Sequence, residues 1–106
     1  MNFKLLEQEL NDISYNYYHN HFYDTATAQS FVNDNKKHIQ KTIAFMQQFP
    51  EGVTSLKYLC NDDFLKMINL FIQQGISVLQ FDRYDDIAPN HHDKEKRFFL
   101  HYKINN

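Results

Sequence analysis

Residues 60–81, CNDDFLKMINLFIQQGISVLQF, are the most apolar run of the chain, and the fold depends on how they are structured. Residues of one stripe recur there at intervals of three or four, which is typical of a broad apolar helix face: Phe64, Ile68, Phe71, Gly75 and Leu79. Asn61 can cap the start of this helix. Asp62 and Asp63 then fall in the first turn, where free amide groups favour negative charge.

Gly75 leaves this run open to two interpretations. A glycine inside a helix costs about 1 kcal/mol relative to alanine, but glycine is also common just past a helix end. Either one helix spans residues 61–81, or a helix ends at Gln74 and residues 76–81 begin a strand. The first interpretation predicts an all-α bundle, and the second predicts an α+β domain.

The composition predicts one cytoplasmic domain over residues 1–106. A chain of this length can bury about two-thirds of its unfolded surface. The lone Cys60 suits a reducing compartment, and no apolar run is long enough to span a bilayer, so we expect no membrane association. The net charge of −2 offers phosphate backbones no general attraction, which disfavours nucleic acid as a partner. Only two glycines and two prolines disfavour an all-β fold.

Two helices are predicted before the central run. Apolar residues spaced by three and four indicate a helix over residues 3–20, with Asn2 as its cap. A second helix begins at a cap formed by Asp24 or Thr25. It ends near Phe49, because Pro50 disfavours helical geometry in the residue before it. A short helical segment is expected over residues 54–59.

The C-terminal segment gives conflicting signals. Residues 82–93 are polar and predict a loop. Apolar residues then alternate strictly, which indicates a strand: Phe98, Leu100, Tyr102 and Ile104. Phe98, Phe99 and Tyr102 can also form a short helical face, with Asp93 as its cap.

The second half of the chain resembles a known family. The residues that carry the resemblance are Lys57-Tyr58, a following helix, Ser77-Val78 with Phe81, a polar loop, and Lys96-Arg97-Phe98. This order is similar to that of the YppE-like proteins of low-GC Gram-positive bacteria. The resemblance implies an antiparallel four-helix bundle of uncharacterised function, and it carries over no catalytic residues because none is established for the family. It favours one helix through Gly75 and a helical C-terminus.

The predicted fold is therefore all-α, a small antiparallel four-helix bundle. The alternative is an α+β winged-helix-like domain with a C-terminal β-hairpin. In that alternative the protein is a DNA-binding regulator, with a helix pair at 54–59 and 61–74 and a wing from 76–82 and 97–104. A helix that reads DNA should carry Arg or Lys. Residues 61–74 contain only Lys66 as a cation, which argues against DNA binding.

An aromatic run over residues 15–23 is the strongest candidate for a binding surface. Its residues cannot all face inward with Tyr17, which continues the apolar stripe of the first helix. Exposed aromatic patches are frequent at protein interfaces, and the candidate partner-binding residues are Tyr15, Tyr18, Phe22 and Tyr23. We therefore predict a protein that acts by contact with an as yet unidentified protein partner, and a homodimer is compatible with this prediction.

Chemical sites are less well supported. Histidines suit zinc and other divalent metals, and the candidate ligands are His19, His21, His91 and His92. A metal-binding protein or enzyme is therefore a second alternative. However, side chains two apart diverge on a helix, and HExxH and paired-cysteine motifs are absent. There is also no G-x-S-x-G motif and no glycine-rich phosphate loop. We expect no enzyme activity and no cofactor.

Overall fold

A computed structural model describes residues 1–57, 61–86 and 95–105 of the chain. Across these residues the chain forms three helices and three strands, in the order α1 (Phe3–His21), α2 (Thr25–Gln48), β1 (Glu51–Lys57), α3 (Asn61–Gln73), β2 (Ile76–Asp86) and β3 (Glu95–Ile104). The helices pack on one face of a sheet, so this is an α+β domain. The predicted all-α four-helix bundle, which the YppE-like resemblance implies, is wrong.

The first two helices match the prediction. The side chain of Asn2 accepts a hydrogen bond of 3.0 Å from the backbone N–H of Leu5, and Asp24 accepts one of 3.0 Å from Ala26. Both caps satisfy amide groups that have no partner within the helix. Helix α2 ends at Gln48, ahead of Pro50 as predicted. Three residues connect α1 to α2, so the helices are neighbours in a hairpin.

Gly75 ends the third helix. Its φ angle is +87°, in the left-handed region that residues with a Cβ rarely adopt. Its N–H donates to the carbonyl of Ile72 at 3.1 Å, which closes the last turn, and β2 begins at Ile76. One helix through Gly75 was therefore the wrong interpretation. The alternative, a helix that stops before Gly75 and a strand that follows it, is observed.

The strands form an antiparallel sheet in the order β1-β3-β2. The central strand β3 buries its alternate side chains on the face that the helices cover: Phe98, Leu100, Tyr102 and Ile104. The alternation in the sequence was thus the correct signal for this segment, and the expected C-terminal helix is wrong. The β-hairpin of the α+β alternative is present, since β2 and β3 pair antiparallel.

Strand β1 includes residues 54–57 of the helical segment that was expected over residues 54–59, and residues 58 and 59 lie outside the described residues. Its only fully buried side chain is Leu56, which lies opposite Phe98 of β3. With so few apolar residues, the local pattern does not identify a strand. Its structure is determined by pairing with β3. The register places Glu51 opposite Lys103 and Lys57 opposite Arg97. The tertiary context therefore overrides the local signal here.

The core lies between the helices and the sheet, and every helix and strand contributes to it. At the junction of α2 and β1, the Tyr102 hydroxyl donates to the carbonyl of Phe49, and the N–H of Ile104 donates to the carbonyl of Pro50 at 2.7 Å. These bonds join the end of α2 to the last strand. Among the described residues, the helices lack the combination of length and apolarity that a bilayer-spanning segment needs.

The backbone at Gly75 gives a first prediction. We expect Gly75→Ala to lower the free energy of unfolding by about 1–2 kcal/mol, because a side chain at a φ of +87° is strained even where space is free. Gly52→Ala is the matched control. Its added Cβ would lie 3.4 Å from the Phe45 ring, an ordinary contact, and we expect a change within about 0.5 kcal/mol. Urea unfolding followed by circular dichroism measures both, and equal losses would contradict the role of Gly75.

Candidate functional site

The end of the α1–α2 hairpin extends beyond the main core. Residues 15–34, which we call the helical arm, comprise the end of α1, the connection and the start of α2. All of them are described, and only Tyr18 and Ala28 are buried. Neither belongs to the cluster of core residues that the helices and the sheet share. The arm therefore has little of the tertiary packing that usually stabilises helices.

A buried polar pair closes the base of the arm. Ser14 and Asn35, the residues on either side of it, are 1% and 4% exposed. The side-chain amide nitrogen of Asn35 donates to the Ser14 hydroxyl at 2.6 Å. The amide oxygen of Asn35 makes no hydrogen bond with the described residues. Because a buried polar group is costly without a partner, this pair fixes how α1 and α2 align at this point.

Three aromatic rings hold the arm together above this pair. The ring of Tyr18 stacks on Phe31 of α2, with 5.3 Å between centroids. Phe22 lies 5.7 Å from Tyr18 and 5.1 Å from Phe31. Such contacts contribute about 0.5–1.5 kcal/mol each beyond area burial. Tyr18 is buried, whereas Phe22 and Phe31 keep about a third of their surface in contact with solvent. The trio therefore both stabilises the arm and presents an aromatic surface.

Further aromatic residues surround the trio. Tyr23 in the connection is fully exposed, and Tyr15 is about half exposed. The rings of Tyr15 and His19 lie 4.1 Å apart, one turn apart on α1. The arm includes Asp24 and Asp34 but no Lys or Arg, so its charge is negative at neutral pH. It is an aromatic surface with an acidic character.

The predicted partner-binding residues are only partly at the surface. Tyr15, Phe22 and Tyr23 are exposed, but Tyr18 is buried, and Tyr17, which was expected to face inward, is half-buried. On α1 the buried residues recur every four positions, from Leu6 to Tyr18. The predicted stripe continued through Ile13 to Tyr17, but Tyr18 is the tyrosine that α1 buries.

Phe31 was not predicted as part of this surface. The sequence places it among apolar residues of the second helix, and no local signal separates it from them. Its position one turn before Asn35, on the α2 side of the hairpin, becomes informative only once the pairing with Ser14 is known. The contact with Phe22 then follows from the alignment of the two helices.

The candidate metal ligands of the arm make other contacts. The His21 ring nitrogen Nδ1 donates to the carbonyl of Tyr17 at 2.9 Å, and its ring stacks on that tyrosine. His19 lies against Tyr15. Among residues 1–57, 61–86 and 95–105, no three His, Cys, Asp or Glu side chains are grouped to hold a metal ion. His91 and His92 lie outside the described residues.

The helix pair of the DNA-binding alternative is not formed. Residues 54–57, which should belong to its first helix, are part of β1. Of the exposed α3 side chains that the structure describes, only Lys66 is cationic. The sheet and hairpin of that alternative are present, but the helix that should contact bases or phosphates carries little positive charge.

Comparisons with known proteins give no family assignment. No family model matches the chain, and no curated protein or solved structure matches it either. The aromatic arm is therefore interpreted from its own geometry.

The Ser14–Asn35 pair gives a second prediction. We expect Ser14→Ala to lower the free energy of unfolding by about 1–3 kcal/mol, because it leaves a buried amide without its acceptor. Adding Asn35→Leu should restore part of the loss, since both partners are then apolar. Urea unfolding of the two single variants and the double variant measures the coupling. Ser30→Ala on the exposed side of α2 is the control, and strictly additive losses would contradict a coupled pair.

Tyr18 gives a third prediction. Burial, together with the nearby charges of Tyr17, Asp63 and Asp34, raises the pKa of its hydroxyl from 10.0 to about 12. The folded state thus favours the neutral phenol. The contribution of Tyr18 to the free energy of unfolding is fully present below pH 10 and is lost as the pH rises toward 12. Across that interval we expect the ionisation of Tyr18 to lower the free energy of unfolding by about 2–3 kcal/mol.

The measurement is urea unfolding at about pH 9 and about pH 11.5, in the native chain and in Tyr18→Phe. The variant lacks the ionising group, so its stability should fall less over the same interval. Burial also raises the pKa of Tyr102, and that contribution remains in both proteins. An identical pH dependence in the two proteins would show that Tyr18 ionises normally.

Proposed function

We propose that this chain is a small binding domain that acts by contact with another protein, and that the helical arm makes this contact. The observation that carries the proposal is the exposure of aromatic side chains on an element with little packing of its own. Tyr15, Phe22, Tyr23 and Phe31 are all partly or fully exposed there. Aromatic residues are enriched at the centres of protein interfaces and dominate binding energies.

The chemistry of the arm also indicates the character of the partner. Phe22 and Phe31 of the aromatic trio offer an apolar surface, and Asp24 and Asp34 add negative charge with no Lys or Arg on the arm. A complementary surface combines an apolar pocket with Lys or Arg at its rim. Electrostatic attraction of this kind mainly accelerates association, so binding should weaken as salt is added.

The proposal includes no catalytic step and no cofactor. The histidines of the arm are used in ring contacts and in one backbone hydrogen bond, and the arm needs neither metal nor substrate to present its aromatic residues. We place the protein in the cytoplasm, because its one cysteine cannot form an internal disulfide and a reducing compartment suits it.

Capture experiments test the proposal. The immobilised native chain is compared with Tyr15→Ser/Tyr23→Ser for capture of proteins from a lysate of the cells that encode it. Both tyrosines are exposed, so the double variant should keep its fold, which circular dichroism and the melting temperature verify. With one partner identified and purified, we expect its Kd to rise at least about tenfold, the loss that follows from removing an aromatic anchor.

The control is Val53→Ser/Phe99→Ser. Both residues are about half exposed on the face of the sheet that the helices do not cover. This variant removes two exposed apolar side chains from another surface and should bind normally. Equal binding by the arm variant and the native chain, or an equal loss in the control, would refute a role for the arm.

A further inference from the structure

The edges of the sheet differ in how they are covered. At the β1 edge, the Thr42 hydroxyl of α2 donates to the backbone carbonyl of Ser55 at 3.1 Å. Helix α2 thus satisfies part of this edge. On the opposite side, no described strand pairs with the outer edge of β2. Strand β2 has 11 residues, against 7 in β1, and is about 35 Å long at 3.3 Å per residue.

Exposed apolar side chains lie near the outer edge of β2. Phe81 of β2 lies opposite the buried Leu100, so it belongs to the core face of the sheet, where it contacts Phe64 at 5.4 Å between ring centroids. It nevertheless remains 47% exposed. Phe64 covers one side of its ring, and the described residues leave about half of its surface exposed.

Helix α3 adds two aliphatic residues on the same face of the sheet. Leu65 and Ile72 are two turns apart on one side of the helix and are 56% and 55% exposed. They are not among the residues that line the groove between α3 and α1, a groove of about 420 Å³. We call the open edge of β2, together with Leu65, Ile72 and Phe81, the β2 margin.

A strand edge has its own chemical requirement. Its outward N–H and C=O groups are matched by another strand, and long exposed edges commonly pair with a second chain. The edge of β2 carries a bulge between Val78 and Gln80, followed by Asp82 and Arg83. Bulges and charges discourage unspecific pairing. A partner strand must therefore match the twist of this edge, and β2 of a second copy has the same twist.

We propose that the β2 margin is a homodimer interface, in which β2 strands of two copies pair antiparallel around a two-fold axis. An axis perpendicular to the sheet keeps both α3 helices on the same face, where Leu65 and Ile72 of each copy face those of the other. A single strand from another protein would match the edge but leave the α3 residues uncovered. A second copy supplies both features at once.

The oligomeric state of the full chain tests the proposal. We expect sedimentation equilibrium to show a dimer that dissociates on dilution. Leu65→Glu/Ile72→Glu should raise the dimer Kd at least about tenfold, because it places charges in the apolar part of the interface. Val53→Glu is the matched control. Val53 is 55% exposed, the same as Ile72, but it lies on β1, across the sheet from β2 and on the face that the helices do not cover, so the dimer of this variant should persist.

Amide hydrogen exchange tests the strand pairing itself. Amides of β2 should exchange more slowly at a protein concentration that favours the dimer than at one that favours the monomer. A native chain that stays monomeric at about 1 mM would overturn the proposal. So would a dimer that withstands Leu65→Glu/Ile72→Glu, or one that Val53→Glu dissociates equally. Tyr15→Ser/Tyr23→Ser should remain dimeric, so failure of the arm and failure of this interface are distinguishable.

Discussion

The left-handed backbone at Gly75 is the constraint on which the rest of the fold depends. Its N–H closes the last turn of α3 on Ile72, and its carbonyl accepts a hydrogen bond of 3.2 Å from the N–H of Asn105, just after β3. Gly75 thus both ends the helix and binds the backbone of the residue that follows the last strand. Other residues pay about 1–2 kcal/mol for this conformation. A residue that favours φ below zero would strain the turn between α3 and β2, and it would weaken the pairing of β3 with one of its two neighbours.

Helix α2 is longer than β1, the strand on which it packs, and the arm results from this difference. Helix α2 has 24 residues and is about 36 Å long, whereas β1 with 7 residues is about 24 Å long. The C-terminal part of α2 packs on the sheet through Ile39, Ile43 and Met46. The N-terminal part extends past it, and α1 accompanies it. Only Tyr18 and Ala28 are buried there, so aromatic contacts between the two helices replace the missing core.

Local signals predicted the elements that depend on local interactions. The first two helices were predicted correctly because their caps, Asn2 and Asp24, lie within three residues of the amides they bond. The strand after Gly75 was not predicted correctly, because its formation depends on a partner strand that begins at Glu95. The arm was predicted as an aromatic surface. The buried pair at its base was not predicted, since Ser14 and Asn35 are 21 residues apart. No periodicity identifies such a pair.

The two proposed surfaces have different chemistry, and this separates their roles. The arm offers aromatic rings and two carboxylates, whereas the β2 margin offers a backbone edge and the aliphatic Leu65 and Ile72. The residues of one surface are absent from the other, so a dimer formed at the margin leaves both arms exposed. Two arms on one particle convert the second contact with a multivalent partner into an intramolecular event, which can raise avidity about 10²–10⁴-fold over a single contact. An arm of modest affinity would then suffice for stable binding, because the proposed dimer would bind through two arms at once.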